Sequence, residues 1–192
     1  MTGSDAKLYL YQLRRYIILA SILFASFFMI GYFVGELLQF SILEEIGEVF
    51  QWVAELNPLI MMFFIFLNNS VKSFFAILLG FIFAIAPILF VTINGLLLGM
   101  VVFDAIREGG TVFVLSAILP HGIVEIPIFL LSVAIGLRMG VQTVLKLDGK
   151  DVKLRFELKK AIRFFVLYIL PLFLLSAFLE AFITPFFISI SI

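Results

Sequence analysis

The chain contains no cysteine, one histidine and one tryptophan, and only 14% of its 192 residues are charged. Each shortage excludes something. Without cysteine there is neither a disulfide framework nor a thiolate metal site. With a single histidine, a zinc centre of three or four protein ligands would have to be completed by carboxylates or amides. The low charge excludes a water-soluble globule: such domains carry about 25% charged and about 45–50% apolar residues, whereas 64% of this chain is hydrophobic. Thirteen basic residues balance thirteen acidic ones, and no nucleic-acid partner is expected. Short segments of alternating polarity, the signature of a membrane barrel, are missing as well. What is present is phenylalanine, 25 of them, in long unbroken apolar runs. The composition describes an all-α, polytopic helical membrane protein whose first partner is the lipid bilayer.

Five runs are long enough to cross a bilayer, which takes about 20 residues. They cover about 17–38, 58–83, 88–106, 111–137 and 164–188 within a single membrane domain, 1–192. The first is too long for a cleavable signal and is expected to be retained. Between the first two runs, residues 40–57 alternate apolar positions at spacings of three and four with Glu44, Glu45, Glu48 and Glu55, the pattern of an amphipathic helix at the membrane surface, with Trp52 as an anchor. Asn57 and Pro58 suit the cap and first turn of the second span. A break near Ala84 to Pro87 separates the second span from the third, and Pro171 is expected to kink the fifth. Lys7, Arg14 and Arg15 precede the first span, and eight more basic residues fall in a connector, 138–163. Eleven of thirteen basic residues thus lie on one side of a five-span topology. The positive-inside rule makes this the cytoplasmic side of a cell membrane, with the N-terminus cytoplasmic and the C-terminus outside. The connector is expected to be solvated, or to rest on anionic headgroups.

Three glycine pairs, Gly31/Gly35, Gly95/Gly99 and Gly136/Gly140, are spaced four apart, which puts both glycines of a pair on one face and lets another helix approach closely. They serve packing within the chain, or one of them serves a homodimer.

The polar residues inside the runs carry the functional question, because ionisable groups at membrane depth are costly. Lys72 in the second run, and His121 and Glu125 in the fourth, lie at similar predicted depths. Asn68, Asn69 and Asn94 accompany them. Asn68 and Lys72 are four apart, as are His121 and Glu125, so each pair shares a helix face. The simplest arrangement turns these faces toward one another, with Lys72 and Glu125 as an ion pair. Pro120 and Pro127 each remove a backbone donor around Gly122. The fourth span is therefore expected to be two half-helices meeting near His121, a break of the kind that forms midplane sites in transporters. His121 and Glu125 are also the candidates for a metal, but the string His-Gly-Ile-Val-Glu is not the zincin pattern, and no cofactor is expected.

These residues also carry a resemblance. The FLNNS stretch (Phe66 to Ser70), TINGLLLG (Thr92 to Gly99) and above all LPHGIVEIP (Leu119 to Pro127), followed by Gly136, resemble the stage II sporulation protein M family of integral membrane proteins over about residues 58–140. The resemblance implies a multi-pass helical protein without an established catalytic role for Asn68, Asn69, Asn94, Gly95, Pro120, His121, Gly122 or Glu125. In spore formers the namesake is needed for engulfment, where it is thought to anchor cell-wall-degrading partners. Relatives also occur in organisms that make no spores, where the role is generally unassigned; nothing in this sequence places it in a spore former, so the sporulation role does not carry over. Three readings follow: a non-enzymatic membrane scaffold or assembly protein with an unidentified protein partner, a carrier or channel for an ion or small solute, and an intramembrane metal-dependent enzyme.

Overall fold

A computed structural model describes residues 3–38 and 57–191. The expected amphipathic segment 40–57 lies outside the described residues apart from Asn57, as does the side chain of His121. The described chain is helical nearly throughout, and five of its helical stretches are long and apolar enough to cross a membrane. Helix α1 runs Gly3–Leu38, α2 Pro58–Leu78, α3 Ile85–Leu147 and α4 Leu154–Phe164, continuing as α5 Leu170–Phe178 and α6 Thr184–Ser191.

Helix α2 begins as its sequence dictates. The Asn57 side chain accepts from the Leu59 amide at 2.9 Å, and Pro58 fills the first turn, where a missing N–H costs nothing. It ends in a short 3-10 turn, Leu79–Phe81, after which Phe83 and Ala84 take left-handed backbone angles (φ 49° and 61°). Two consecutive non-glycine residues in that region are strained, and they turn the chain into α3 within six residues.

Helix α3 is two limbs, not one rod. A straight run from Pro87 to Gly136 would span about 73 Å, yet a Cβ on Gly136 would stand 3.0 Å from Pro87 Cβ. The reversal is made at Gly110, whose φ 78° and ψ 173° are open essentially to glycine alone. The expected loop 107–110 is therefore reduced to one residue. Both limbs continue helically to either side of it, and the expected half-helix break near His121 is not there. The backbone passes through Pro120, His121, Gly122 and Pro127 as helix, and Gly110 is the residue of α3 that departs from helical angles.

The glycine pairs all act within the chain. Gly31 of α1 abuts the backbone of Leu96, and Gly99 abuts the Phe28 carbonyl, while a Cβ on Gly95 would lie 2.7 Å from the Phe24 carbonyl. These contacts bring α1 and the first limb of α3 backbone to backbone. A Cβ on Gly35 would meet the Phe103 ring at 2.9 Å. On the other side Gly136 abuts the Ala76 carbonyl, Gly80 abuts Gly136, and Gly140 seats Ala84.

The last helix takes its shape from two prolines. It carries π-turns at Phe165–Ile169 and Leu179–Ile183, each ending two residues before a proline, Pro171 and Pro185. A proline ring clashes with the carbonyl one turn back and cannot bond it. Widening the preceding turn relieves that conflict without breaking the helix. At the second π-turn the Thr184 hydroxyl donates to the Leu179 carbonyl at 3.3 Å. The kink expected at Pro171 is absorbed in this way.

The connector 138–163 also differs from expectation. Helix α3 continues to Leu147, and α4 starts at Leu154, so only about six residues between them leave the helix. Arg138 is buried and ion-paired to Glu157 of α4. Both groups face Tyr9 on the N-terminal extension of α1. The Arg138 guanidinium lies 5.5 Å from the Tyr9 ring centre, Lys160 Nζ 4.5 Å, and Phe164 meets the ring edge-on at 5.2 Å. Tyr9, Leu13, Met139, Ala161 and Phe164 form one end of the main core. Part of the basic segment is thus packed structure rather than a solvated loop.

Candidate functional site: a polar cavity between the helices

The inward face of α2 is a stripe of small and polar residues, Asn69, Ser73 and Ala76, recurring at three and four and buried against the other helices, and Gly80 of the following 3-10 turn continues it. Lys72 lies beside this stripe. Opposite it stand Asn94 and Leu98 on the first limb of α3, and Gly122, Glu125 and Phe129 on the second. Together with Phe24 and Phe173 these side chains enclose a cavity of about 130 Å³. That is room for several water molecules, since one needs about 10–15 Å³ by this measure.

The cavity brings Asn69, Lys72, Asn94, Gly122 and Glu125 to one place. Asn68 is not among them: it is exposed. It lies on the edge of the α2 stripe, and its neighbour Asn69 occupies the inward position. Pairing by four from Lys72 selected the wrong asparagine, because the stripe is centred on Asn69 and Ala76. Pro120 and Pro127 do not line the cavity, whereas Gly122 leaves room at its wall.

Glu125 is held by the last helix: Ser176 Oγ of α5 donates to its Oε2 at 3.3 Å, and Asn69 lines the same cavity. Lys72 acts on Glu125 through space. The direct Lys72–Glu125 ion pair expected from the sequence is not formed: among the described residues the ion pairs are Asp104–Arg107, Arg138–Glu157 and Asp148–Lys150. Glu125 is engaged by the neutral Ser176 hydroxyl, and the ammonium stands off. Glu180, on the second π-turn, is half-buried and interacts electrostatically with both Lys72 and Glu125. Its position four residues past Ser176 puts the two on one face of the last helix. The cluster thus holds two carboxylates against one ammonium.

Two neutral groups complete the description. Asn94 Nδ2 donates to the Phe90 carbonyl at 2.7 Å, leaving its side-chain oxygen for the cavity. Ser73 lines the cavity, is fully buried, and its hydroxyl has no hydrogen-bond partner among the described residues. Among those residues no three His, Cys, Asp or Glu side chains are gathered so as to hold a metal ion. Sequence reasoning missed Ser73 and Ser176. Serines are common in membrane helices, and only the register against Asn69 and Glu180 marks these two. Asp104, near the end of the third apolar run, was not a candidate either. Asp104 is fully buried, with the Arg107 guanidinium 4.0 Å away.

Five apolar helical stretches around a polar cavity define a multi-pass helical membrane protein. The chain belongs to the Stage II sporulation protein M family, whose family model matches residues 20–185. No curated protein and no solved structure matches it.

Proposed function

We propose that this protein is a non-enzymatic carrier or channel-like membrane protein that takes up a small cation at the cavity between α2, the two limbs of α3 and α5. The observation that carries this reading is the lining of the cavity: Glu125, Lys72, Asn69, Asn94 and the unpartnered Ser73 hydroxyl face one volume of about 130 Å³. A scaffold whose polar centre only specified packing would close that centre and pair its groups. An unpaired buried hydroxyl costs about 1–3 kcal/mol, which a ligand or water in the cavity would offset. One carboxylate and one ammonium, Glu125 and Lys72, line the volume with the side-chain oxygens of Asn69, Asn94 and Ser73, and Glu180 adds a second carboxylate's field from outside the lining; oxygen ligands of this kind suit a hard cation better than an anion. In this reading the N-terminus is cytoplasmic and the C-terminus outside, because basic residues crowd one end. A homodimer would need a face other than the three glycine pairs, which are used within the chain.

The test is a thermal-shift series in mild detergent with lithium, sodium, potassium, ammonium and divalent cations. The reading expects at least one cation to raise the melting temperature of the wild type, and Glu125→Gln to lose that response. If no cation shifts the wild type, or Glu125→Gln responds as well, the site is a packing device and the scaffold reading replaces it.

A further inference from the structure

We propose that the face of α4 running into the first π-turn, from Lys159 to Leu167, binds the headgroup and one acyl chain of an anionic phospholipid. Lys159, Ile162, Arg163, Val166 and Leu167 follow spacings of three and one, which places them on one helix face. They line a single groove of about 390 Å³. Its first half is cationic and its second half apolar, with Val166 and Leu167 each nearly half exposed. The change from charge to hydrocarbon takes place within one turn, about 4.5 Å from Arg163 to Val166. That is the gradient met at the boundary between headgroup and acyl region.

A second groove, of about 450 Å³, adjoins the first between α1 and α4 and shares Lys159 and Arg163 with it. Its other walls are Leu8, Phe156, Lys160 and one acid, Asp5. Three cations against one carboxylate leave a positive site. Lys160 is engaged, its Nζ donating to Gln12 Oε1 at 3.1 Å and resting on the Tyr9 ring. Lys159 and Arg163 make no ion pair among the described residues. The neighbouring acid on the helix, Glu157, is taken by Arg138. Two uncommitted cations above an exposed apolar track fit a phosphodiester carrying its own hydrocarbon chain. Free phosphate would use only the upper half. Basic pockets beside membrane helices take anionic lipid headgroups on these grounds.

The experiment is native mass spectrometry of the full chain in mild detergent. Dioleoyl phosphatidylglycerol, dioleoyl phosphatidylcholine and inorganic phosphate are added separately and in competition. The expected result is retained phosphatidylglycerol adducts, few phosphatidylcholine adducts, and no displacement by inorganic phosphate. The double variant Lys159→Gln/Arg163→Gln should bind phosphatidylglycerol about thirty-fold more weakly, the loss expected for two cations at an anionic surface. Lys159→Arg/Arg163→Lys keeps the charges and should retain the lipid, and Lys150→Gln, on the connecting turn, should behave as wild type. Equal retention of the two lipids would overturn the proposal. So would displacement by phosphate, or wild-type retention in the glutamine variant. If the glutamine variant does not fold, loss of the lipid by the charge-preserving variant would contradict the proposal by itself. The cation cavity does not enter this test, so either reading can fail without the other.

Discussion

Ser176 Oγ donates to Glu125 Oε2 at 3.3 Å, linking the last helix to the second limb of α3 across the wall of the polar cavity. The bond fixes one carboxylate oxygen. Ser176→Ala should therefore cost about 1.5–3 kcal/mol of stability, the usual loss when a charged acceptor loses a donor. Melting of the purified variant checks this. A melting temperature equal to that of the wild type would mean that the bond is not made in the bilayer protein. Lys72→Met should cost more, because it leaves Glu125 and Glu180 facing each other without a counter-charge. The double variant Lys72→Met/Glu125→Gln should be less destabilised than the sum of the two single changes, since the groups share one cluster.

The tight seam between α1 and the first limb of α3 sets a second expectation. Gly31 and Gly99 each lie against a backbone carbonyl of the partner helix, and backbone cannot yield as a side-chain tip can. Gly31→Val and Gly99→Val should each destabilise by about 1–3 kcal/mol or more through overpacking. Gly3→Ala, where nothing stands within 4 Å, should have almost no effect. Denaturant unfolding in detergent ranks the three. Equal stability across them would contradict the observed seam.

At the basic end, the Arg138–Glu157 pair is largely buried, with 10% and 18% of the side-chain surfaces exposed. Removing one partner of such a pair leaves an uncompensated charge and costs about 3–5 kcal/mol. Arg138→Ala should therefore unfold far more readily than Lys150→Ala, whose pair with Asp148 is exposed and worth about 0–1 kcal/mol. Arg138→Met/Glu157→Leu should recover much of the loss. Thermal denaturation of the three variants beside the wild type distinguishes a buried latch from a surface ornament.

Much of this architecture was legible in the chain. The apolar runs were long enough to be counted as five helices. Asn57-Pro58 announced the start of α2, and the glycine pairs marked the seams because nothing else allows backbones to touch. Of the polar residues singled out, Lys72, Glu125, Asn69 and Asn94 line one cavity, whereas Asn68 is exposed and the side chain of His121 lies outside the described residues. What was not legible depended on register and on neighbours. Gly110 looks like any loop glycine until its backbone angles are known, whereas Pro120 and Pro127 looked like breaks and are carried within a helix. Asn68 and Asn69 differ by one position, a rotation of about 100° around the helix, and only the packed stripe selects the inward one. Ser73 and Ser176 carry no signal in their own sequence contexts. Arg138 read as one of many connector charges until Tyr9 and Glu157 were seen around it.

Uptake of a cation at the cavity requires that water reach it at membrane depth, and the absence of cysteine makes that access directly measurable. Single cysteines placed at Asn94, Val91 and Ile93 in the protein reconstituted in lipid vesicles would be treated with a small, charged, membrane-impermeant methanethiosulfonate reagent added to both faces. Asn94 lines the cavity, Val91 is packed in the core, and Ile93 faces outward from the bundle. The account predicts that Asn94→Cys reacts many times faster than the other two. It also predicts that a cation which stabilises the wild type slows that reaction. Labelling of Asn94→Cys no faster than of Ile93→Cys would mean that the cavity is closed to water, and would contradict the account.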